Sequence, residues 1–224
     1  MVYTVKEIFY SLQGEGAQAG RPAVFCRFAG CNLWSGREQD RATAVCRFCD
    51  TDFLGTDGPG GGRFESAEDL AVAVARTWPI NRDAASRERV DATGKPGRPF
   101  VVCTGGEPLL QLDRPLIDAL HAAGFEIAVE TNGTLAVPAG IDWVCVSPKG
   151  GASLVQQSGD ELKLVYPQSG AEPERFEPLA FRHFFLQPMD GPDLQTNTQA
   201  ALQYCLAHPR WRLSLQLHKI LRIP

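Results

Sequence analysis

The 224-residue sequence has no hydrophobic run that approaches the roughly 18–20 apolar residues of a transmembrane helix. Its first residues lack the basic-then-apolar order of a secretory signal. The sequence also lacks an excess of positive charge. It has 22 Lys and Arg but 26 Asp and Glu, which gives a net charge of −4 and a pI near 5.6. Nucleic-acid affinity depends largely on clustered basic side chains. We therefore expect a soluble, cytoplasmic protein with neither a nucleic-acid nor a membrane partner.

No internal repeat or domain boundary is visible, so residues 1–224 are expected to form one domain. Short apolar β-type runs alternate with helical patterns. The candidate strands are Tyr3–Tyr10, Ala23–Ala29, Phe100–Cys103, Glu126–Glu130, Trp143–Ser147, Glu161–Tyr166 and His183–Gln187, and the candidate helices are Ser66–Thr77, Leu112–Ala123 and Thr196–Ala207. About six parallel strands joined by helices are too few for a complete eight-fold barrel. The pattern predicts an α/β fold, a partial and open (β/α) barrel.

Two polar segments are expected to lie outside this core. Asp57–Arg63 is rich in glycine and is predicted to be a flexible surface loop. The stretch near 80–98 is charged and has no hydrophobic period, so it is predicted to be a variable excursion.

Seven cysteines are many for a reducing compartment, and an odd number does not suit a pure disulfide framework. Cys31, Cys46 and Cys49 are grouped with the spacing C-x14-C-x2-C, in a loop over residues 30–51 that follows a predicted strand. The carboxyl ends of strands are where α/β folds place their chemistry. Four cysteines saturate a 4Fe–4S cluster. Three would leave one iron open to an outside ligand.

A structural zinc site is the alternative interpretation, since a distant Cys103, Cys145 or histidine would supply the fourth ligand. The cysteines outside the group fall within apolar patterns and are expected to act as small buried hydrophobes. They are Cys26, Cys103, Cys145 and Cys205.

Further motifs occur in a fixed order around the cysteines. They are Ser11–Gly16 (SLQGEG), Cys49–Thr51 (CDT), Thr104–Pro108 (TGGEP), Glu130–Gly133 (ETNG), Ser147–Lys149 (SPK), Gln187–Asp190 (QPMD) and His218 with Pro224. Together they resemble the 7-carboxy-7-deazaguanine synthases, a family of the radical S-adenosylmethionine (SAM) superfamily, from Ile8 to Pro224. Most members of the superfamily carry C-x3-C-x2-C; the x14 spacing is found in one subgroup of these synthases.

The resemblance implies a modified radical SAM core and a defined reaction. In that reaction 6-carboxy-5,6,7,8-tetrahydropterin contracts to 7-carboxy-7-deazaguanine with loss of ammonia, in the pathway to 7-deazapurines such as queuosine. SAM is cleaved to a 5′-deoxyadenosyl radical, which takes a hydrogen from C6 of the substrate and returns one, and magnesium assists. A homodimer and an electron donor such as flavodoxin or ferredoxin are implied as partners.

The resemblance also implies the site residues. Cys31, Cys46 and Cys49 would hold the 4Fe–4S cluster, and Thr51 would bind magnesium. The SAM contacts would be Phe48, Cys49, Asp50, Gly106, Glu107, Ser147, Pro148, Lys149, Gln187, Pro188, Met189 and Asp190. The substrate contacts would be Leu12, Gln13, Gly14, Glu15, Arg27, Thr104, His218 and Pro224, the last through its C-terminal carboxylate. Helix capping is the competing role for Asp50 and Thr51.

Elementary chemistry agrees with several of these roles. A pterin edge presents a guanidine-like array of donors, which Glu15 can accept in bidentate fashion and which Gln13 can match as donor and acceptor. Arg27 suits the substrate carboxylate. A glycyl-radical or ribonucleotide-reductase activase would share the cysteines and the Gly-Gly-Glu turn, but it offers no reason for residues 13–16.

Overall fold

A computed structural model describes residues 1–79 and 98–224. Apart from Arg98, the excursion predicted near 80–98 therefore lies outside the described residues. In the described ranges, none of the helices combines the length and the apolar character that crossing a membrane requires.

Nine strands form a single sheet in the described part of the chain. They are β1 (Tyr3–Leu12), β2 (Pro22–Phe28), β3 (Gly62–Phe64), β4 (Phe100–Gly105), β5 (Glu126–Thr131), β6 (Trp143–Val146), β7 (Ser158–Tyr166), β8 (Ala180–Pro188) and β9 (Trp211–Leu213). Their spatial order is β3-β1-β2-β4-β5-β6-β7-β8-β9, and each pair from β2 to β9 is parallel. The sheet ends on β3 and β9 instead of closing, which confirms the open barrel.

The strand β1 departs from the parallel pattern, because it pairs antiparallel with both β2 and β3. Only residues 13–21 connect β1 to β2. A parallel pair needs a crossover of a dozen or more residues, so this connection imposes a hairpin. Within residues 1–79 and 98–224 the barrel thus has seven parallel strands, against about six predicted from the sequence, and an antiparallel edge.

In the described residues, four α-helices accompany the sheet: α1 (Ala67–Thr77), α2 (Arg114–Ala122), α3 (Leu194–Ala207) and α4 (Leu217–Leu221). Ser66 caps α1 by accepting from the Asp69 backbone N–H at 3.1 Å. Gly124 has φ +88° just after α2, the left-handed conformation expected of a glycine at that position. Helices α1 and α2 cover one face of β1, β2, β4 and β5, so the core lies between them and the sheet.

The glycine-rich segment 57–63 is packed against β1, and Gly62 and Arg63 belong to β3, so the prediction of a loop over the whole segment is wrong. The Ile8 N–H donates to the Pro59 carbonyl at 2.7 Å, and Gly58 donates to the Lys6 carbonyl at 3.0 Å. A Cβ at Gly61 would lie 2.1 Å from the Lys6 oxygen. Glycine is needed here for close backbone approach.

Candidate active site

The carboxyl ends of the parallel strands, the loop after β2 and the C-terminal segment enclose a cavity of about 370 Å³. Most of the predicted site residues line it: Leu12, Gln13, Glu15, Arg27, Cys31, Cys46, Phe48, Cys49, Asp50, Thr51, Thr104, Gly106, Ser147, Lys149, Gln187, Pro188, Asp190, His218 and Pro224. Gly14, Glu107, Pro148 and Met189 are not part of the lining. The structure therefore brings separate sequence motifs to one cavity.

The three grouped cysteines line one part of this cavity. A hydrogen bond from Cys46 lowers the pKa of Cys49 to about 6 and raises that of Cys46. The charge of Lys149 favours the thiolate at both residues. Burial raises the pKa of Cys31, and the Leu33 N–H donates to its sulfur at 3.4 Å. This environment supplies positive charge and donors to sulfur ligands.

The donor set fits a cluster better than a single metal ion. Among residues 1–79 and 98–224, no three His, Cys, Asp or Glu side chains converge on one ion. In a 4Fe–4S cluster each cysteine ligates a different iron, so the thiols need not converge. Cys103 and Cys145 are buried and lie outside the cavity lining. They do not supply the fourth ligand of the zinc alternative.

Two glycines at the end of β4 let the cysteine loop approach this strand. At Gly105, with φ +133°, a Cβ would lie 2.3 Å from the Phe28 oxygen. At Gly106 a Cβ would lie 2.1 Å from the Gly30 oxygen and 2.9 Å from Cβ of Cys31. The glycine pair therefore positions the first cysteine through backbone packing, and both glycines also line the cavity.

Glu107 is fully buried and lies outside the cavity lining. Its carboxylate accepts from the Thr131 hydroxyl and the Asn132 N–H, both at 2.8 Å, and from the Leu109 N–H at 3.0 Å. Burial raises its pKa, against the effect of these bonds. Glu107 thus fixes the turn after β5, and its predicted contact with SAM stays a prediction.

The motifs after β6 and β8 form turns held by polar contacts. Lys149 Nζ donates to the carbonyl and the hydroxyl of Ser147, both at 2.7 Å. Buried Gln168 donates to the Pro148 carbonyl at 3.3 Å. Gln187 accepts from the Ser214 hydroxyl at 3.2 Å. Pro148 thus shapes a cavity wall from outside the lining.

The backbone around Met189 is fixed in the same way. Its N–H donates to the Tyr166 carbonyl at 2.8 Å, and its carbonyl accepts from the Asn197 amide at 3.0 Å. Met189 therefore supports the strand end that carries Pro188 and Asp190, which do line the cavity.

Asp50 and Thr51 do not cap a helix, because no helix begins in the described residues around them. The Asp50 carboxylate accepts from Gln216 Nε2 at 3.2 Å and from Lys219 Nζ. Lys219 also reaches Asp190 at 2.6 Å. The ammonium group of Lys219 thus joins α4 to the cysteine loop and to the segment that follows β8.

Arg27 lies on β2 and lines the cavity. Its guanidinium donates through Nε to Glu7 Oε1 at 2.7 Å. Since a guanidinium carries five N–H donors, this ion pair leaves donors for an anion.

A buried charged group was not recognised from the sequence. Lys163 Nζ contacts Glu15 Oε2 and lies 3.2 Å from Glu130 Oε1. Burial opposes ionisation of Glu130, but Lys163 and the hydroxyl of Thr104 outweigh it and lower the pKa of Glu130. Sequence signals were present, since Lys163 interrupts an apolar strand and Glu130 ends another.

The C-terminal segment completes the wall beside residues 13–16. The Gly14 carbonyl accepts from the Leu217 N–H at 3.0 Å. A Cβ at Gly14 would lie 2.5 Å from Nδ1 of His218, so Gly14 allows this histidine to reach the cavity. The Ser11 hydroxyl donates to the Pro224 oxygen at 2.7 Å.

An open α/β barrel with a three-cysteine loop and a Gly-Gly-Glu turn at its strand ends defines an enzyme of the radical SAM class. No protein-family model matches the chain. The chain is 64% identical to the 7-carboxy-7-deazaguanine synthase of Caulobacter vibrioides and 62% identical to that of Bordetella pertussis, with both proteins covered completely. The crystal structure of QueE from Escherichia coli is similar with a TM-score of 0.68 and 29% identity, over 96% of this chain and 94% of that one. The chain belongs to the 7-carboxy-7-deazaguanine synthase family.

Proposed function

We propose that this enzyme converts 6-carboxy-5,6,7,8-tetrahydropterin to 7-carboxy-7-deazaguanine with loss of ammonia, on the route to 7-deazapurines such as queuosine. The observation that carries the proposal is the shared cavity, which is lined both by the three cysteines and by polar groups that match a carboxylated pterin. Its volume of about 370 Å³ is within the usual range for small-molecule sites.

At the cofactor end, Cys31, Cys46 and Cys49 would hold a 4Fe–4S cluster with one open iron, at which bound SAM supplies the radical that takes hydrogen from the substrate. The charge of Lys149 favours the thiolate form of Cys46 and Cys49. Gly106 lets Cys31 approach β4. The residues proposed to contact SAM are Phe48, Cys49, Asp50, Gly106, Glu107, Ser147, Pro148, Lys149, Gln187, Pro188, Met189 and Asp190.

At the substrate end, Glu15 and Gln13 would bind the donor edge of the pterin. Glu15 already accepts from Gln216 at 3.1 Å, so its carboxylate is fixed before the ligand arrives. Arg27 would bind the substrate carboxylate with the donors that Glu7 leaves free. Leu12, Gly14, Thr104, His218 and Pro224 complete the proposed substrate contacts.

Magnesium, oligomer and reductant are further parts of the proposal. Thr51 lines the cavity and follows the last cysteine by two residues. Its hydroxyl would bind magnesium together with substrate oxygens and water, because magnesium prefers octahedral oxygen ligands. A homodimer and reduction by flavodoxin or ferredoxin are proposed by analogy with the family. Cytoplasmic location is proposed on the same ground.

The test is anaerobic reconstitution, followed by incubation with reductant, SAM, magnesium and carboxytetrahydropterin. Cys46→Ala should abolish both cluster binding and product formation. Cys205→Ser is the matched control, because Cys205 lies on α3, away from the cavity lining, and should leave both unchanged. If an enzyme with an intact cluster forms no deazaguanine acid, the substrate assignment is wrong and the radical SAM class still stands.

A further inference from the structure

Lys163 is a buried lysine on β7 with a relative exposure of 5%. Buried lysines are rare unless they are paired. Its ammonium group meets Glu15, from the loop after β1, and Glu130, at the end of β5. One cation therefore joins carboxylates from two other parts of the barrel, and all three side chains line the cavity.

Both carboxylates keep acceptor capacity after their protein contacts are counted. Glu130 accepts from Lys163, Gln13 and Thr104 at 3.0–3.2 Å. Glu15 accepts from Lys163 and Gln216. An ionised carboxylate offers about four lone-pair sites, so the pair still presents acceptors to the cavity. This wall suits a ligand edge made of N–H donors.

Two ionised carboxylates that lie close together repel each other unless a cation lies between them. Without the ammonium group, one carboxyl group would bind a proton or turn away. A protonated carboxyl group has an O–H that donates a hydrogen bond, at a position where the ionised group would accept one. The contacts of Lys163 prevent this change, since burial opposes its charge but Glu130 and Glu15 hold its pKa well above the usual value.

We infer that Lys163 is a positioning residue that holds Glu15 and Glu130 as one acceptor pair, and that this pair selects the 2-amino edge of a pterin. The inference rests on the proposed function. It adds Glu130 to the substrate-binding groups and assigns Lys163 a role in specificity. A 2-oxo pteridine (a lumazine) would place a carbonyl oxygen where the pair requires a donor.

The test compares two stable probes, pterin-6-carboxylate and lumazine-6-carboxylate, on the reconstituted enzyme with SAM bound. Dissociation constants are measured by anaerobic titration calorimetry, so the readout does not depend on turnover. A site built around a substrate N–H rejects an analogue that lacks it, and we expect the wild-type enzyme to prefer the pterin by at least about 100-fold. Lys163→Met should reduce this preference below about 10-fold, whereas Lys163→Arg should retain most of it.

Lys6→Met is the matched control. Lys6 is also buried and lines the cavity, but its ammonium group binds Asp52 at 2.9 Å and Asp57 at 2.7 Å. The ratio of the two dissociation constants should be unchanged in this variant. A general loosening of the cavity would reduce the ratio in both lysine variants and would overturn the inference.

If Lys163→Met does not fold, the double variant Lys163→Met/Glu161→Gln replaces it. Glu161 is a neighbouring buried carboxylate outside the acceptor pair, and its Oε2 accepts from the Ala17 N–H at 2.7 Å. The oxygen of a glutamine side chain can still accept this hydrogen bond. The double variant should also lose the preference for the pterin. If the double variant prefers the pterin as strongly as the wild-type enzyme does, the inference is overturned and the proposed function stays intact. If the wild-type enzyme binds neither probe, both are overturned.

Discussion

The cysteines differ in their surroundings, because some line the cavity and others lie inside the strands. Cys26, Cys103 and Cys145 lie inside the strands β2, β4 and β6 and are almost completely buried. Burial raises the pKa of Cys103 to about 12 and raises the pKa values of Cys26 and Cys145 well above the usual range. A buried thiol with a raised pKa is a poor nucleophile. The expectation that these three act as small hydrophobes agrees with their positions.

This difference predicts an alkylation pattern. Iodoacetamide at pH 7, applied anaerobically to folded protein without its cluster, should leave Cys26, Cys103 and Cys145 unmodified. At a pH far below its pKa, a thiol forms little of the reactive thiolate. Half-buried Cys205 should react slowly. Peptide mass spectrometry measures each site, and unfolding in denaturant should make all three buried thiols reactive. Rapid labelling of Cys103 in the folded protein would contradict the prediction.

The sequence predicts a site residue when the signal is local, and misses it when the role depends on residues distant in sequence. The sequence predicts Cys31, Cys46 and Cys49 as a group because their spacing is a local signal, and the structure brings them to one cavity. Lys163 was not found, since its partners Glu15 and Glu130 are distant in sequence and only the barrel brings them together. A charged residue within an apolar strand indicates an unusual environment, but it does not identify the partner.

Among the secondary-structure elements, the long ones were predicted and the short ones were not. The continuous apolar run of β4 and the capped start of α1 are strong local patterns. The strands β3 and β9 have three residues each and the helix α4 has five, too few for a period to be visible. These short elements depend on tertiary contacts: β3 is held by pairing with β1.

The junction between β4 and the cysteine loop gives the next prediction. In Gly106→Ala the new Cβ meets the Gly30 backbone oxygen, which cannot move without displacing Cys31. We expect reconstituted protein to hold less than half the iron of the wild type, as measured by iron and sulfide analysis.

Gly124→Ala is the control for a general loss of stability. A Cβ there meets nothing within 4 Å, although φ is +88°. It should cost about 1 kcal/mol of the free energy of unfolding and leave the iron content unchanged. Full iron content in Gly106→Ala would show that the cysteine loop tolerates the displacement.

In the whole molecule, an open barrel leaves its strand ends accessible, and the C-terminal segment closes part of that opening. This segment returns to the first hairpin through the bond from Leu217 to Gly14 and through the bond from Ser11 to Pro224. It reaches the cysteine loop through Lys219 and Asp50. The enclosure of the cavity therefore depends on contacts between residues about 170–210 positions apart, which no local sequence pattern specifies.

Deletion of residues 217–224 should separate folding from binding. None of these residues is buried, so the midpoint of thermal unfolding should change by only a few degrees. The deletion removes His218, Lys219 and Pro224 from the cavity wall. Since each lost hydrogen bond is worth about 1 kcal/mol, binding of pterin-6-carboxylate should weaken by at least about 10-fold. Ile220→Ser, on the exposed side of α4, is the control and should leave binding unchanged. If the truncated enzyme binds pterin-6-carboxylate with wild-type affinity, the barrel alone forms the substrate site.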